Sequence, residues 1–382
     1  MTRNFVRMIA LMSITALSIQ TYAQTNPGRI PSPSIPFLKV APDARAAAMG
    51  DVGVATSADA NALYWNPSKL VFAEKATGVA VSYTPWLRQL VNDMSIYYLA
   101  GYHKIAKDQV LGLSINYFDM GEFQATTQNG QVAGNFYSRD LAISGSYARK
   151  LSRNMSLGIS LRYINSNPAA GAPVINGIAL KPGTTVAGDI GIYYQTDNRD
   201  KKMNWAYGAT ISNLGGQVSY GGVQKNFIPT NLRFGVAGTY KINDQNKFVF
   251  AVDLNKMMVP TPPLKANQST LAGIFGSFGD APDGFSEELK EVQPSLGIEY
   301  WYNDLFAIRT GYRHESEMKG GQQYLTMGFG ARIQQRYGLD FAYLVPMKQN
   351  SPLAQTLRLS LLINLDKKDR QADDFESDAD SN

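Results

Sequence analysis

Between about residues 76 and 365 the chain alternates apolar and polar positions with a period of two. Leu111, Leu113, Ile115 and Tyr117 share one parity, with Gly112, Ser114 and Asn116 between them. Leu157, Ile159, Leu161 and Tyr163 stand in the same way against Gly158, Ser160 and Arg162. The pattern returns in Phe248, Phe250, Val252 and Leu254 against Asp253 and Asn255, and in Leu357, Leu359, Leu361 and Ile363 against Arg358 and Asn364. Successive strand side chains point to opposite faces, so each segment reads as a strand between an apolar and a polar environment. Fourteen strands are predicted, at 76–84, 93–102, 108–118, 136–147, 154–164, 185–195, 203–212, 231–240, 247–255, 291–301, 304–313, 323–333, 337–345 and 355–365. Most have the ~9–11 residues that a tilted strand needs to cross a hydrocarbon layer, whereas soluble strands average nearer ~5–6.

The connections sort by parity. Those after the even strands are short and polar, such as His103 to Lys107, Arg149 to Arg153, Asn243 to Asn246 and Gln334 to Arg336. Those after the odd strands are mostly longer, at 119–135, 165–184, 213–230, 256–290, 314–322 and 346–354. Short turns on one side and long loops on the other are the signature of an outer-membrane barrel. The expected fold is all-β: a 14-stranded antiparallel transmembrane barrel over 76–365, its apolar face in lipid and its polar face in the lumen. A large soluble β-protein is the alternative.

The N-terminus adds a destination. Arg3 and Arg7 precede an apolar run from Met8 to Ile19, and Thr21-Tyr22-Ala23 offers a small-residue cleavage site. Residues 1–23 therefore read as a secretory signal peptide. An exported chain with barrel strands and no later apolar helix belongs in a bacterial outer membrane. With an even strand count, both mature termini are expected on the periplasmic side. Residues 366–382 carry seven acidic and three basic side chains and read as a disordered periplasmic tail. The formal charge of +5 is spread out, without the basic helix or finger spacing that nucleic-acid binding requires. The absence of cysteine removes disulfide, thiol and thiolate-metal chemistry, and no cofactor is expected.

Residues 24–75 precede the first strand. Pro27, Pro31, Pro33 and Pro36 keep its start extended. Asp43 can cap a short helix through the alanines to Met49, with Gly50 ending it. Leu63, Tyr64 and Trp65 follow as apolar bulk, Asn66-Pro67 sets a turn, and Asn61 and Asn66 can bond backbone groups locally. Such a segment reads as a hatch folded into the barrel, or else as a periplasmic lead-in. Arg162, Arg233, Asp253, Glu299, Arg309 and Arg358 take the polar parity on their strands. Charge on the lipid face would cost ~2–4 kcal/mol at mid-depth, so they are expected to face inward, as a packing network against the hatch or as a selectivity lining.

Ala44-Arg45-Ala46-Ala47-Ala48-Met49-Gly50, together with Asn61-Ala62-Leu63-Tyr64-Trp65-Asn66-Pro67 and the strand run, resembles the FadL-like outer-membrane barrels. The mature opening, Ile35 to Arg45, is similar to their PorV branch in Bacteroidetes, a component of the type IX secretion system. The resemblance covers essentially the whole mature chain. It implies a 14-stranded barrel with an N-terminal hatch, associated with a large outer-membrane translocon barrel. It also implies binding of secreted cargo through C-terminal signal domains and delivery to a surface attachment complex. Outer-membrane lipid or lipopolysaccharide would surround it. Two alternatives stand beside that function: a FadL-like channel for hydrophobic small molecules, and a lipopolysaccharide deacylase.

Enzymatic chemistry has little to stand on in the residues. His103 and His314 are the two histidines, and the strand map puts them on opposite membrane sides. His314-Glu315-Ser316-Glu317 lacks a nucleophile elbow. The connection 256–290 is the candidate partner-binding loop. Met257, Met258, Val259 and Leu264 lie on a proline-stiffened stretch, and Phe275 and Phe278 follow, all expected to be exposed. A lid over the barrel mouth is the other reading of the same residues.

Overall fold

The computed structural model describes residues 29–365 except 89–90, 92, 128, 173–180, 197, 199–200, 223–224, 265–267, 349–350, 352 and 354–355. The signal peptide expected at 1–23 and the tail expected at 366–382 lie outside these residues. Every predicted strand is present: β1 (Thr77–Pro85), β2 (Ser95–Ala106), β3 (Gln109–Thr126), β4 (Val132–Lys150), β5 (Met155–Ala170), β6 (Gly183–Gln195) and β7 (Met203–Gly215) form the first half. The second half is β8 (Asn231–Lys241), β9 (Asn246–Met257), β10 (Val292–Tyr302), β11 (Phe306–Arg313), β12 (Tyr324–Ile333), β13 (Tyr337–Pro346) and β14 (Leu357–Leu365). Each pairs antiparallel with its chain neighbours, and β14 closes on β1 from Thr77↔Leu365 to Tyr83↔Leu359. Closure leaves no sheet edge, so every strand's backbone polar groups are met by its neighbours, as a lipid environment demands.

The burial of side chains follows the alternation. Leu111, Leu113, Ile159, Leu161, Phe250, Val252, Leu254, Leu359 and Leu361 are exposed on the outer wall, while Ser114, Ser160, Asp253 and Arg358 between them are buried inside. This is the inverse of a soluble protein, and it is what a barrel in lipid requires.

The short turns are short indeed, from two residues between β2 and β3 to seven between β6 and β7 (196–202). One long connection differs from expectation. Residues 119–135 are mostly strand, because β3 and β4 run on past the rim and leave only 127–131 as a turn. Gly121, at φ 80°, sits where the register shifts between Asp119 and Glu122. Beyond that shift Phe123 stacks on Phe136 at 5.5 Å, and Asn135 Nδ2 donates to Glu122 Oε1 at 2.8 Å. Those cross-strand pairs hold the hairpin together where the sequence alternation had weakened.

Residues 29–75 run through the lumen from one end of the barrel to the other. Ser34 N donates to Phe227 O (2.9 Å) in the loop between β7 and β8, and Lys319 Nζ donates to Arg29 O (3.2 Å) from the loop between β11 and β12. At the other end Lys104 N donates to Ala76 O (2.8 Å), next to the turn between β2 and β3. Arg29 is thus at the long-loop end and Leu365 at the short-turn end. The even strand count predicts both mature termini on the short-turn side; residues 24–28 and 366–382 lie outside the described ones, and the first described residue, Arg29, is at the other end. An even strand count places the end of β14 beside the start of β1, but it says nothing about a segment that crosses the lumen before β1.

Candidate functional site

Within the lumen, two one-turn helices shape the hatch: α1 (Ala44–Ala47) and α2 (Ala62–Trp65). The Asp43 carboxylate caps α1 by accepting from Ala46 N at 2.8 Å and also accepts from Trp65 Nε1 at 2.7 Å, tying the two helices together. Gly50 and Asp51 then turn the chain with φ of 73° and 62°. Asn66 separates α2 from a 3-10 turn that begins with Pro67. The Asn66 side chain accepts from Ser68 N (3.2 Å) and donates to Ile192 O (3.0 Å) on β6, so one residue shapes the turn and pins it to the wall. Tyr64 donates its hydroxyl to Leu38 O at 3.1 Å. Asn61 is buried, and its side chain has no hydrogen-bond partner among the described residues.

Glycines on the inner wall let the hatch come close. A Cβ on Gly311 would lie 2.1 Å from the Met49 carbonyl carbon, and one on Gly158 would lie 2.5 Å from Ser68 N. Neither site has room for a side chain.

Arg162, Arg233, Asp253, Glu299, Arg309 and Arg358 all face inward and are buried. Glu299 on β10 accepts from Arg45 Nε (3.0 Å) and Nη2 (2.8 Å) of the hatch and from Arg309 Nε (2.6 Å) of β11. Arg309 Nη1 reaches Asp340 at 2.8 Å, and Arg332 closes the chain on the same carboxylate at 2.9–3.0 Å. Asp253 accepts from Gly53 N (2.8 Å) and Val54 N (3.0 Å). Arg358 donates to Asp51 at 3.0 Å, and Tyr324 hydroxyl donates to the other oxygen of that carboxylate. Arg162 binds Asp189 at 2.8 Å and does not touch the hatch; its other partners are Ser144 and Asn213. Arg233 stacks over the rings of Trp65 (5.1 Å) and Tyr64 (5.3 Å) and has no ion-pair partner among the described residues. Asp189 and Asp340 have the inward parity that marked the other six, whereas Arg45 and Asp51 lie outside any strand and carry no such mark.

A second charged cluster lies at the long-loop end. The connection between β9 and β10 holds α3 (Thr270–Gly276) and α4 (Phe285–Glu288). Lys256 Nζ donates to Glu288 (3.0 Å) and Glu291 (2.5 Å), while Lys319 Nζ donates to Glu291 at 2.8 Å and forms an ion pair with Glu287 at 2.8 Å. Arg29 Nη1 reaches Asp283 at 2.5 Å and Glu287 at 3.3 Å, so the first described residue is part of this cluster. Burial raises the Glu291 carboxyl, but hydrogen bonds from Lys256, Lys319 and Thr261 outweigh it and hold the group below its usual range. Burial likewise opposes Lys319, yet its bonds to Glu287 and Glu291 raise the ammonium above its usual value.

Above this cluster the loop is apolar on its outside. Leu264, Leu271, Phe275, Phe278, Phe285 and Leu289 are exposed, Phe275 by 62% and Phe285 by 76%. The expected surface changes in its first part: Met258 and Val259 are 2% and 3% exposed and Met257 ends β9 half-buried. Met258 N bonds Thr230 O at 2.8 Å, which continues the wall inward and turns these side chains into the molecule. Leu271, Phe285 and Leu289 take their place.

His103 and His314 lie at opposite ends of the barrel. His103 Nδ1 pairs with Thr77 Oγ1 (2.7 Å), and His314 Nδ1 pairs with Tyr312 hydroxyl (3.2 Å). Among the described residues no group of three His, Cys, Asp or Glu side chains is placed to hold a metal ion.

A closed 14-stranded barrel with an apolar wall, a polar lumen and its own N-terminal segment inside has the architecture of an outer-membrane β-barrel. Residues 23–264, more than half of the 382, match the family model described as type IX secretion system protein PorV. The chain belongs to that family. Among solved structures it is similar to the toluene transporter TodX of Pseudomonas putida, with 13% identity, 83% of this chain and 96% of that chain covered, and a TM-score of 0.52. It is also similar to the CymD monoaromatic hydrocarbon channel, with 14% identity, coverage of 86% and 98%, and a TM-score of 0.50. At such identities the likeness is one of fold. No curated protein sequence matches the chain significantly.

Proposed function

We propose that the protein is an outer-membrane subunit of the type IX secretion system. In this reading the short turns face the periplasm and the long loops face outside. It binds secreted cargo through C-terminal signal domains and works with a large translocon barrel and a surface attachment complex. The observation that carries the reading is the exposed apolar surface of Leu264, Leu271, Phe275 and Phe285 in the β9–β10 connection, whose base is tied by buried ion pairs above a lumen occupied by the hatch. Exposed Leu and Phe above an ion-paired base suit a protein partner, since each contact that already fixes the loop lowers the ordering cost of docking.

Transport of hydrophobic molecules, the activity named for TodX and CymD, fits this lumen poorly. The void beside the hatch is lined by Asp43, Arg45, Asp59, Asn61, Trp65 and Lys69. An apolar ligand there would strip water from charged groups without replacing their hydrogen bonds.

The test substitutes Leu271→Ser, Phe275→Ser and Phe285→Ser together, leaving Phe278, over whose ring Lys256 stands at 5.4 Å. The barrel should insert normally. Capture of the translocon barrel and of signal-domain cargo should fall at least about tenfold, the effect of losing one or two anchor residues. Wild-type capture and secretion by a correctly inserted variant would refute the reading.

A further inference from the structure

The opposite rim of the barrel carries a second, unassigned surface. The outer wall's apolar parity runs to the very ends of β2 and β12 and past the ends of β4 and β8. On β2 the lipid-facing positions Tyr97 and Leu99 lead on to Ile105; on β4, Ile143 leads to Leu151; on β8, Phe234 and Val236 lead to Ile242; on β12, Met327 and Phe329 lead to Ile333. Each of these end residues lies in or beside a short turn, and each is between 44% (Ile242) and 59% (Ile333) exposed. Leu151 and Ile242 lie in the turns themselves, and Ile105 and Ile333 stand at the strand ends that lead into them; a rim that ended in water would not carry a branched aliphatic side chain at all four places.

Cations stand beside these residues. Lys107, Arg153, Lys201, Lys202, Lys241 and Arg336 are exposed in the short turns and their flanks. Among the described residues of the same turns, Asp108 has Arg149 at 3.8 Å and Asp304 pairs with Lys247; Asp244 is exposed beside Lys241, so the six exposed cations face three carboxylates and the rim stays positive. Aliphatic side chains continuous with the lipid belt, alternating with Lys and Arg, match the boundary between acyl chains and phosphate groups.

We propose that this short-turn rim binds anionic phospholipid headgroups. The aliphatic residues sit at the acyl boundary, and the lysines and arginines hold the phosphates just beyond it. The charge pattern selects phosphatidylglycerol over a zwitterionic lipid, because the latter's own ammonium group competes for its phosphate. The rim would therefore gather an anionic lipid shell on the side away from the partner-binding loop, whatever that loop binds.

The full-length protein, reconstituted in bilayers of phosphatidylethanolamine, can be titrated with spin-labelled phosphatidylglycerol and spin-labelled phosphatidylethanolamine. The wild-type protein should immobilise the anionic probe about fivefold more strongly, the factor one Lys–headgroup contact supplies. The preference should shrink at high salt. The variant Lys107→Gln/Arg153→Gln/Lys241→Gln/Arg336→Gln should lose it while keeping a heat-modifiable barrel. Should that variant not fold, Lys201→Gln/Lys202→Gln should show a smaller loss in the same direction. Equal association of both probes with the wild type, or an unchanged preference in a folded variant, overturns the proposal. Equal association together with capture of an acidic soluble protein would assign the surface to that partner instead.

Discussion

Arg45 is the one hatch residue whose guanidinium joins the wall's central charge chain, so Arg45→Ala is the sharpest test of how the lumen is closed. The substitution removes two hydrogen bonds to Glu299, at 3.0 and 2.8 Å, from a carboxylate that is fully buried. Breaking a buried pair by removing one partner costs ~3–5 kcal/mol. The low end applies here, because Arg309 stays on Glu299 at 2.6 Å and keeps the charge from being stranded. About 3 kcal/mol corresponds to roughly a 150-fold rise in the open population of the hatch. The strand ladder does not involve Arg45, so the barrel itself should remain closed. Hydrogen exchange reads the opening directly. Gly50 N and Gly53 N each donate to a wall side chain, Thr326 Oγ1 at 2.9 Å and Asp253 at 2.8 Å. Their protection should fall by about two orders of magnitude, while amides of β10 and β11 keep theirs. Arg45→Lys retains charge without the two-pronged geometry and should fall in between. If protection at Gly50 and Gly53 stayed within threefold of wild type in Arg45→Ala, the ion chain does not hold the hatch, and the apolar contacts of Trp65 and Met49 must.

Orientation is checked by single cysteines at Asp244, in the turn between β8 and β9, and at Ser286, in the β9–β10 loop; both are exposed. An impermeant thiol reagent on intact cells should label only the Ser286→Cys protein, and the reverse pattern would invert the topology. The long-loop cluster should respond to pH on both sides. Glu291 is held below its usual value, so its contribution is complete above the unfolded carboxyl range, near ~4.3, and is lost as pH falls through the depressed value. Lys319 is raised, so its contribution is complete below ~10.4 and is lost as pH rises through the raised value. Protease cleavage within 258–291 should accordingly be slow at neutral pH and speed up at both extremes. Lys319→Met should move the acid onset upward, and an unchanged onset would show that the ion pairs do not hold the loop.

Local rules decided much of this molecule. A period-two pattern long enough to cross a bilayer fixes strand position and face together, since sliding a strand by one residue would put Arg162 or Asp253 in lipid. That is why the strand set, the inward charges and, apart from the β3–β4 hairpin, the sorting of turns from loops were legible in the chain. The helix cap at Asp43 and the break at Asn66-Pro67 were legible too, because each depends on neighbours only a few residues away. What only the tertiary structure decided depends on which distant surfaces meet. Nothing near Arg45 names Glu299, 254 residues on, as its partner. Arg233 has the parity of an ion-pair residue, but the hatch brings two aromatic rings to it instead. Met258 and Val259 look like surface in a proline-rich stretch, yet the wall turns them inward. The path of residues 29–75 from the long-loop end to the short-turn end is likewise set by contacts across the lumen, which a one-dimensional pattern of apolar and polar residues does not contain.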